Sequence, residues 1–196
     1  MGDTTMENLQ YTLVTERLQL RPFESTDGPR VKELAGDIAI ADKTLNIPHP
    51  YEDGMAEKWI STHQSQYETG ELANWAMILK SEKLLIGAIG LTFNQRFKRA
   101  ELGYWVGKPY WNQGYCSEAA RAVVNYGFDQ LKLNKIVGMH FARNPVSGKI
   151  MVKVGMKKEG VLREHAIRWD NFEDLVCYGI LEKEWSAGSL LKINQG

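Results

Sequence analysis

The sequence predicts an α+β fold, three layers deep, built on one mixed and mostly antiparallel seven-stranded sheet with about four helices. Three observations predict it. Stretches of alternating and of helical periodicity follow one another as strand, two helices, three strands, helix, strand, helix, two strands. The passage from Ala100 to Ala142 runs strand, helix, strand, a length that implies a right-handed parallel crossover. A chain of 196 residues with 43% hydrophobic content suffices for one well-buried core, expected over residues 11–185 between a flexible tip (1–10) and a loose tail (186–196).

Each element has its own local reason. Thr12 to Arg21 alternates and reads as the first strand, stopped by Pro22. Gly28 to Ala41 suits a helix with Val31, Leu34, Ala35 and Ile38 on one side, until Asn46-Ile-Pro-His-Pro50 breaks the pattern. A second helix, Asp53 to Glu68, carries Trp59, His63 and Tyr67 on one stripe, facing either the core or an acceptor groove. Strands follow at 74–80, 84–93 and 100–107, joined by polar turns. Ala120, Val123, Val124, Gly127, Phe128 and Leu131 give the next helix, about Ser117 to Leu131, one apolar face. After a strand at 135–142, Asn144 is placed to N-cap a helix with Pro145 at its first position. Strands at 156–168 and 172–184, turning at Trp169-Asp-Asn171, finish the sheet.

Charge and composition exclude several function classes. Lys plus Arg and Asp plus Glu both total 24, so no global field draws the chain to nucleic acid or an anionic membrane. The two cysteines, Cys116 and Cys177, have no CxxC spacing and the four histidines no HExxH, so no metal is expected. No apolar run approaches the roughly 20 residues that span a bilayer. The first residues lack a basic-then-apolar signal pattern, and a cytoplasmic location is expected. An exposed edge strand leaves room for a homodimer.

The strongest functional signal lies between Ala100 and Ala120. A strand closes on Asn112-Gln113-Gly114-Tyr115 and a helix follows through Cys116 and Ser117. A turn that enters a helix through glycine presents unpaired N–H groups and the positive end of the helix dipole, a ready seat for a pyrophosphate. Gly114 is expected to matter because a side chain would hold the phosphate off the backbone. Neither G-x-x-x-x-G-K-[ST] nor G-x-G-x-x-G is present, and a plain strand–turn–helix unit is the alternative reading.

The same segment resembles the coenzyme A pyrophosphate loop of the GNAT superfamily of N-acetyltransferases, written [QR]-x-x-G-x-[GA]. Gly114 takes the glycine, Trp111 stands where Gln or Arg is usual, and Cys116 where Gly or Ala is usual. Thr15-Glu-Arg-Leu-Gln-Leu-Arg-Pro-Phe23 resembles the opening strand of the RimJ/RimL branch, which acetylates ribosomal-protein N-termini. Asn144-Pro-Val-Ser147 with Lys153-Val-Gly-Met156 resembles its second coenzyme-binding helix, and Glu159 to His165 with Asp174 to Tyr178 its last two strands. The resemblance runs from about Thr12 to Trp185. It implies acetyl-CoA as cosubstrate and a splay between the strands containing Glu101 and Met139, with the coenzyme's acyl arm in the gap. It implies coenzyme contacts at Tyr104, Trp105, Val106, Asn112, Gln113, Gly114, Tyr115, Cys116, Ser117, Asn144 and Ser147. The acceptor it implies is a protein N-terminal α-amine; a small amine such as a polyamine, amino acid or antibiotic, or a coenzyme-binding module without turnover, are the alternatives.

An amine must lose its proton before it attacks a thioester, so a general base is the main requirement. Glu101 is the first candidate. Alternation sets it on the face of Gly103 and Trp105, and its place matches the catalytic glutamate of histone-acetylating relatives; a surface pairing with Arg99 or Lys98 is the plainer reading. An oxyanion donor is implied at a backbone N–H near Trp105 or Val106. Met151 replaces the tyrosine with which many relatives protonate the leaving thiolate, and Ser147 is the candidate instead, unless it only serves the first helical turn. A glutamate proposed as base in this branch falls at Ala166, with Glu164 nearby if the strand register holds. His140 and His165 are secondary candidates. Cys116, at a helix N-terminus, has either a lowered thiol pKa or a plain packing role.

Overall fold

A computed structural model describes residues 12–185, so the expected tip and tail lie outside the described residues. Eight strands form one sheet in the order β1-β2-β3-β4-β5-β6-β8-β7. They are β1 (Leu13–Val14), β2 (Leu18–Arg21), β3 (Leu72–Leu79), β4 (Leu84–Asn94), β5 (Arg99–Val106), β6 (Lys135–Phe141), β7 (Lys157–Arg168) and β8 (Asn171–Leu181). The helices are α1 (Gly28–Ala35), α2 (Ile38–Ala41), α3 (Met55–Ser61), α4 (His63–Glu68), α5 (Tyr115–Asp129) and α6 (Pro145–Lys153). Among the described residues only β5 and β6 pair in parallel, as the crossover through α5 requires. None of these helices is long and apolar enough to cross a membrane.

The eighth strand comes from the expected first strand, which folds into a small hairpin. The Thr15 hydroxyl accepts the Leu18 N–H at 3.0 Å and the Thr15 N–H donates to the Leu18 carbonyl at 2.9 Å, closing a turn inside an alternating run. Both expected early helices also break. Asp37, extended at ψ 125°, accepts from the Ala39 N–H at 2.8 Å and starts α2 as a new N-cap. Thr62 donates its hydroxyl to the Trp59 carbonyl at 2.8 Å and separates α3 from α4. Trp185 closes the described chain against α5: its indole N–H donates to Asn125 Oδ1 at 3.2 Å and its ring lies against Phe128.

Apolar side chains cover both faces of the sheet. On one, α5 lays Ala120, Val123, Val124 and Phe128 onto Trp75, Ile89, Leu91 and Leu102, with the Trp75 and Tyr126 rings edge to face at 5.5 Å. Each fully buried Val or Phe there contributes about 1.5–3 kcal/mol. On the other face, Val31, Leu34, Ala56 and Ile60 of α1 and α3 pack on Ala76, Ile78 and Leu85.

One close approach decides the shape of the central strands. A Cβ at Gly87 would lie 2.3 Å from the Trp105 carbonyl oxygen and 2.9 Å from Val106 Cα, both backbone atoms that cannot rotate away. Gly87→Ala is therefore expected to cost about 1–3 kcal/mol, read as a lowered denaturation midpoint at constant slope. An unaltered midpoint would show that β4 and β5 yield more easily than this contact implies.

Candidate active site

The parallel pairing of β5 and β6 lasts three residues, from Arg99↔Lys135 to Glu101↔Val137, and then the strands part. Gly107 donates its N–H to the Ile86 carbonyl across β4. N–H directions alternate along a strand, so Tyr104 and Val106 turn theirs toward the gap while Trp105 turns away. Of the two expected oxyanion donors, the alternation favours Val106. The Val106 carbonyl, on the same side, accepts the Trp111 indole N–H at 2.6 Å.

Below the gap lies a cleft of about 460 Å³ lined by the loop and the start of α5. Asn112 and Gly114 both take the left-handed backbone region, at φ 60° and 82°. A Cβ at Gly114 would point toward the Arg17 guanidinium at 3.4 Å, an ordinary contact. Glycine is required here by its backbone conformation, whatever the space around it. Of the expected coenzyme contacts, Tyr104, Trp105, Val106, Asn112, Gly114, Tyr115, Cys116, Ser117, Asn144 and Ser147 line this cleft. Gln113 does not: its side chain turns back to the Pro109 carbonyl at 3.1 Å. Burial pushes the Cys116 thiol up, so the expected lowering by the helix terminus is overturned and the residue is a packing group.

A second cleft, of about 720 Å³, opens on the α1–α3 side of the sheet. It shares Lys43, Thr44, Tyr104, Trp105 and Ser147 with the first, so the two form one passage through the splay. Glu101 lines the second cleft. Solvent reaches its carboxylate along the opening, yet protein crowds its other sides; burial raises its pKa above the ordinary value, and Arg99 pulls only weakly the other way. Among the described residues it forms no ion pair, and Arg99 acts on it through charge alone. The charged groups sharing this cleft are Lys43 and Lys58.

At the head of α6, Asn144 is buried, and its side chain does not cap the helix. Its amide donates instead to the Ser147 hydroxyl at 3.1 Å, which orients that hydroxyl where the clefts meet. This replaces the expected cap by a side-chain pair. The Tyr104 hydroxyl donates to the Ser147 carbonyl at 2.9 Å and fastens β5 to α6 across the splay; burial raises the phenol. Met151 is fully buried, with its sulfur 3.2 Å from where a Gly138 Cβ would stand.

Of the remaining candidates, His140 lines the larger cleft. His140 donates Nδ1–H to the Phe141 carbonyl at 2.8 Å and stacks on Tyr178, with its Nε2 buried against α6. Register breaks between Leu162 and Ala166, and Glu164 sits in the left-handed region at φ 48° with its N–H on Asp174. The condition for Glu164 as base therefore fails. Of the aromatic stripe, Trp59 lines the larger cleft whereas His63 and Tyr67 are buried.

Sequence reasoning missed the partners of three groups. Lys43 stands where the clefts meet, with its ammonium 5.3 Å over the Trp111 ring. The His63 ring accepts the Asn74 amide at Nε2 (3.1 Å) beneath the larger cleft. Arg17 and Thr15 grip the first turn of α5 through Glu118. Lys43 and Arg17 meet partners far away in the chain and His63 a partner in another element, and no local pattern announces such pairs.

Comparison with known proteins agrees with this geometry. Residues 17–157 match the acetyltransferase (GNAT) domain. The uncharacterized N-acetyltransferase p20 of Bacillus licheniformis is 30% identical over 178 residues, 90% of this chain and 99% of its own length. The [ribosomal protein uS5]-alanine N-acetyltransferase of Escherichia coli (strain K12) is 21% identical, over 90% of this chain and 93% of its own. The solved structure of RimL, a ribosomal L7/L12 alpha-N-protein acetyltransferase in complex with coenzyme A, superposes with a TM-score of 0.81 at 14% identity, covering 87% of this chain and 98% of its own. With the splayed pair, the glycine-entered helix and the family match over most of its length, the chain belongs to the GNAT N-acetyltransferases.

Proposed function

We propose that this enzyme transfers an acetyl group from acetyl-CoA directly to a primary amine, the α-amine of a protein or peptide N-terminus. The observation that carries the reading is the single passage formed by the two clefts, with a loop of free N–H groups at one end and the Glu101 carboxylate at the other. Acetyl-CoA supplies an activated acyl carbon when bound. The N–H groups at the start of α5 suit its pyrophosphate, and Lys43 adds a cation at the junction. Glu101 takes the proton of the incoming ammonium, directly or through water. The gap-facing Val106 N–H stabilises the charge that develops on the carbonyl oxygen. Ser147, oriented by Asn144, stands where the departing sulfur leaves.

Two points support a peptide acceptor. One carboxylate in the acceptor cleft suits one ammonium, whereas a polyamine would ask for several. The relatives named above as ribosomal-protein acetyltransferases act on α-amines of protein chains. Free-thiol release from acetyl-CoA, followed with N-terminal peptides, polyamines and amine antibiotics, tests the reading. Release that depends on a peptide is the expected result. Release with a polyamine alone would replace the acceptor assignment; silence throughout, with acetyl-CoA still raising the melting temperature, would favour a binding module.

A further inference from the structure

The opening Thr15-Glu16-Arg17 turn has no part in the chemistry above, yet it bonds both the coenzyme loop and the helix that the loop enters. Glu118, in the first turn of α5, receives the Thr15 hydroxyl at 2.6 Å, the Arg17 N–H at 2.8 Å and Arg17 Nε at 2.7 Å. Burial alone would raise this carboxyl; the hydrogen bonds from Thr15 and Arg17, with the guanidinium charge, outweigh it and hold the carboxyl below its ordinary range. The same guanidinium donates from Nη1 to the Gln113 carbonyl at 2.9 Å and stacks 4.6 Å over the Tyr115 ring. Its Nη2 stands 3.4 Å from the position a Gly114 Cβ would take. One planar cation therefore touches three successive loop residues and the helix they enter.

Part of that loop's shape has to be held from outside. Asn112 occupies left-handed backbone without being glycine, a conformation that its surroundings must help to hold. Loop residues Asn112, Gly114 and Tyr115 face the coenzyme cleft, and Arg17 does not line it. Arg17 works from behind. The pair is half-exposed, 41% at Arg17 and 17% at Glu118, but without the guanidinium Glu118 keeps its bonds from the Thr15 hydroxyl and the Arg17 N–H, so the loss of global stability stays small. Its effect falls on preorganisation, because a loop already in its binding shape loses less entropy when a ligand arrives.

We propose that Arg17 is a positioning residue for coenzyme binding, which acts by holding Gln113, Gly114 and Tyr115 with their amides toward the cleft. The proposal rests on the assignment of this loop to the coenzyme. Arg17→Met keeps the apolar stem and removes the fork. Arg17→Lys keeps the charge, but a point ammonium cannot bond Glu118 and Gln113 at once while stacking on Tyr115.

Coenzyme A affinity measured by calorimetry, with amide exchange of loop residues 113–115, tests it. For Arg17→Met the dissociation constant of coenzyme A is expected to rise about tenfold, a change of about 1.4 kcal/mol, with faster loop exchange. The melting temperature is expected to hold, and in turnover the loss should fall on KM for acetyl-CoA rather than kcat. Arg17→Lys should recover only part of the affinity. Unaltered affinity in Arg17→Met would overturn the proposal, and so would affinity, stability and kcat falling together, since that marks a scaffold role. If the wild-type protein itself binds no coenzyme A, the loop assignment fails first, and the two failures are told apart.

Discussion

Glu101→Gln is expected to lower kcat by about 10²- to 10⁴-fold while leaving coenzyme A affinity as in wild type. The exchange is close to isosteric, and Glu101 lines the acceptor cleft but not the coenzyme cleft, so binding and chemistry should separate. A base works only when ionised. Burial holds the Glu101 pKa above its ordinary value, so activity is present above that raised pKa and is lost as pH falls through it. The acid limb of kcat/KM should accordingly lie at higher pH than an ordinary glutamate would give, and the residual activity of Glu101→Gln should lack it. Equal turnover in the two proteins would remove Glu101 from the chemistry and leave a water chain or another group as base.

The second large effect concerns stability. His63 is buried against Trp59 and Phe23, with ring centroids at 4.4 and 5.2 Å, and its Nε2 accepts from Asn74. Burial lowers its pKa from 6.5 to about 4, so the folded protein keeps the ring neutral. Between those values the unfolded chain binds a proton that the native state refuses. The stabilisation is therefore complete above about pH 6.5 and is lost as pH falls toward 4. It amounts to about 2–3 kcal/mol by pH 4.5, a large share of a typical domain's stability. His63→Gln removes the titration and can still accept from Asn74. Whatever it costs at pH 7, its stability should fall less steeply with acid than wild type, as measured by denaturant unfolding at pH 7 and 4.5. Parallel pH profiles for the two proteins would mean that His63 protonates without penalty.

Much of this architecture is legible residue by residue. Strand and helix periods depend on neighbours two to four places away, so β3 to β6, α5, α6 and the β7–β8 hairpin fall close to where the pattern puts them. What escapes is any break set by a hydroxyl or carboxylate competing for backbone groups: Thr15 splits the first strand, Asp37 and Thr62 the helices. These residue types also occur inside regular elements, and only the final hydrogen bond tells which role each takes.

The site divides in the same way. Sequence alone determined the order of elements along the chain, the glycine-entered turn ahead of α5, and the placing of Glu101, Gly103 and Trp105 on one face of β5, because all three follow from local geometry. Tertiary structure decided how those parts act. It turned Gln113 out of the cleft, aimed Asn144 at Ser147 rather than at its own helix, and raised Cys116 where a helix terminus alone would lower it. It also brought Arg17 to Glu118 across 101 residues of chain. Hydrogen-bond partners and desolvation depend on what the folded chain sets alongside a group, and no stretch of sequence contains that neighbour.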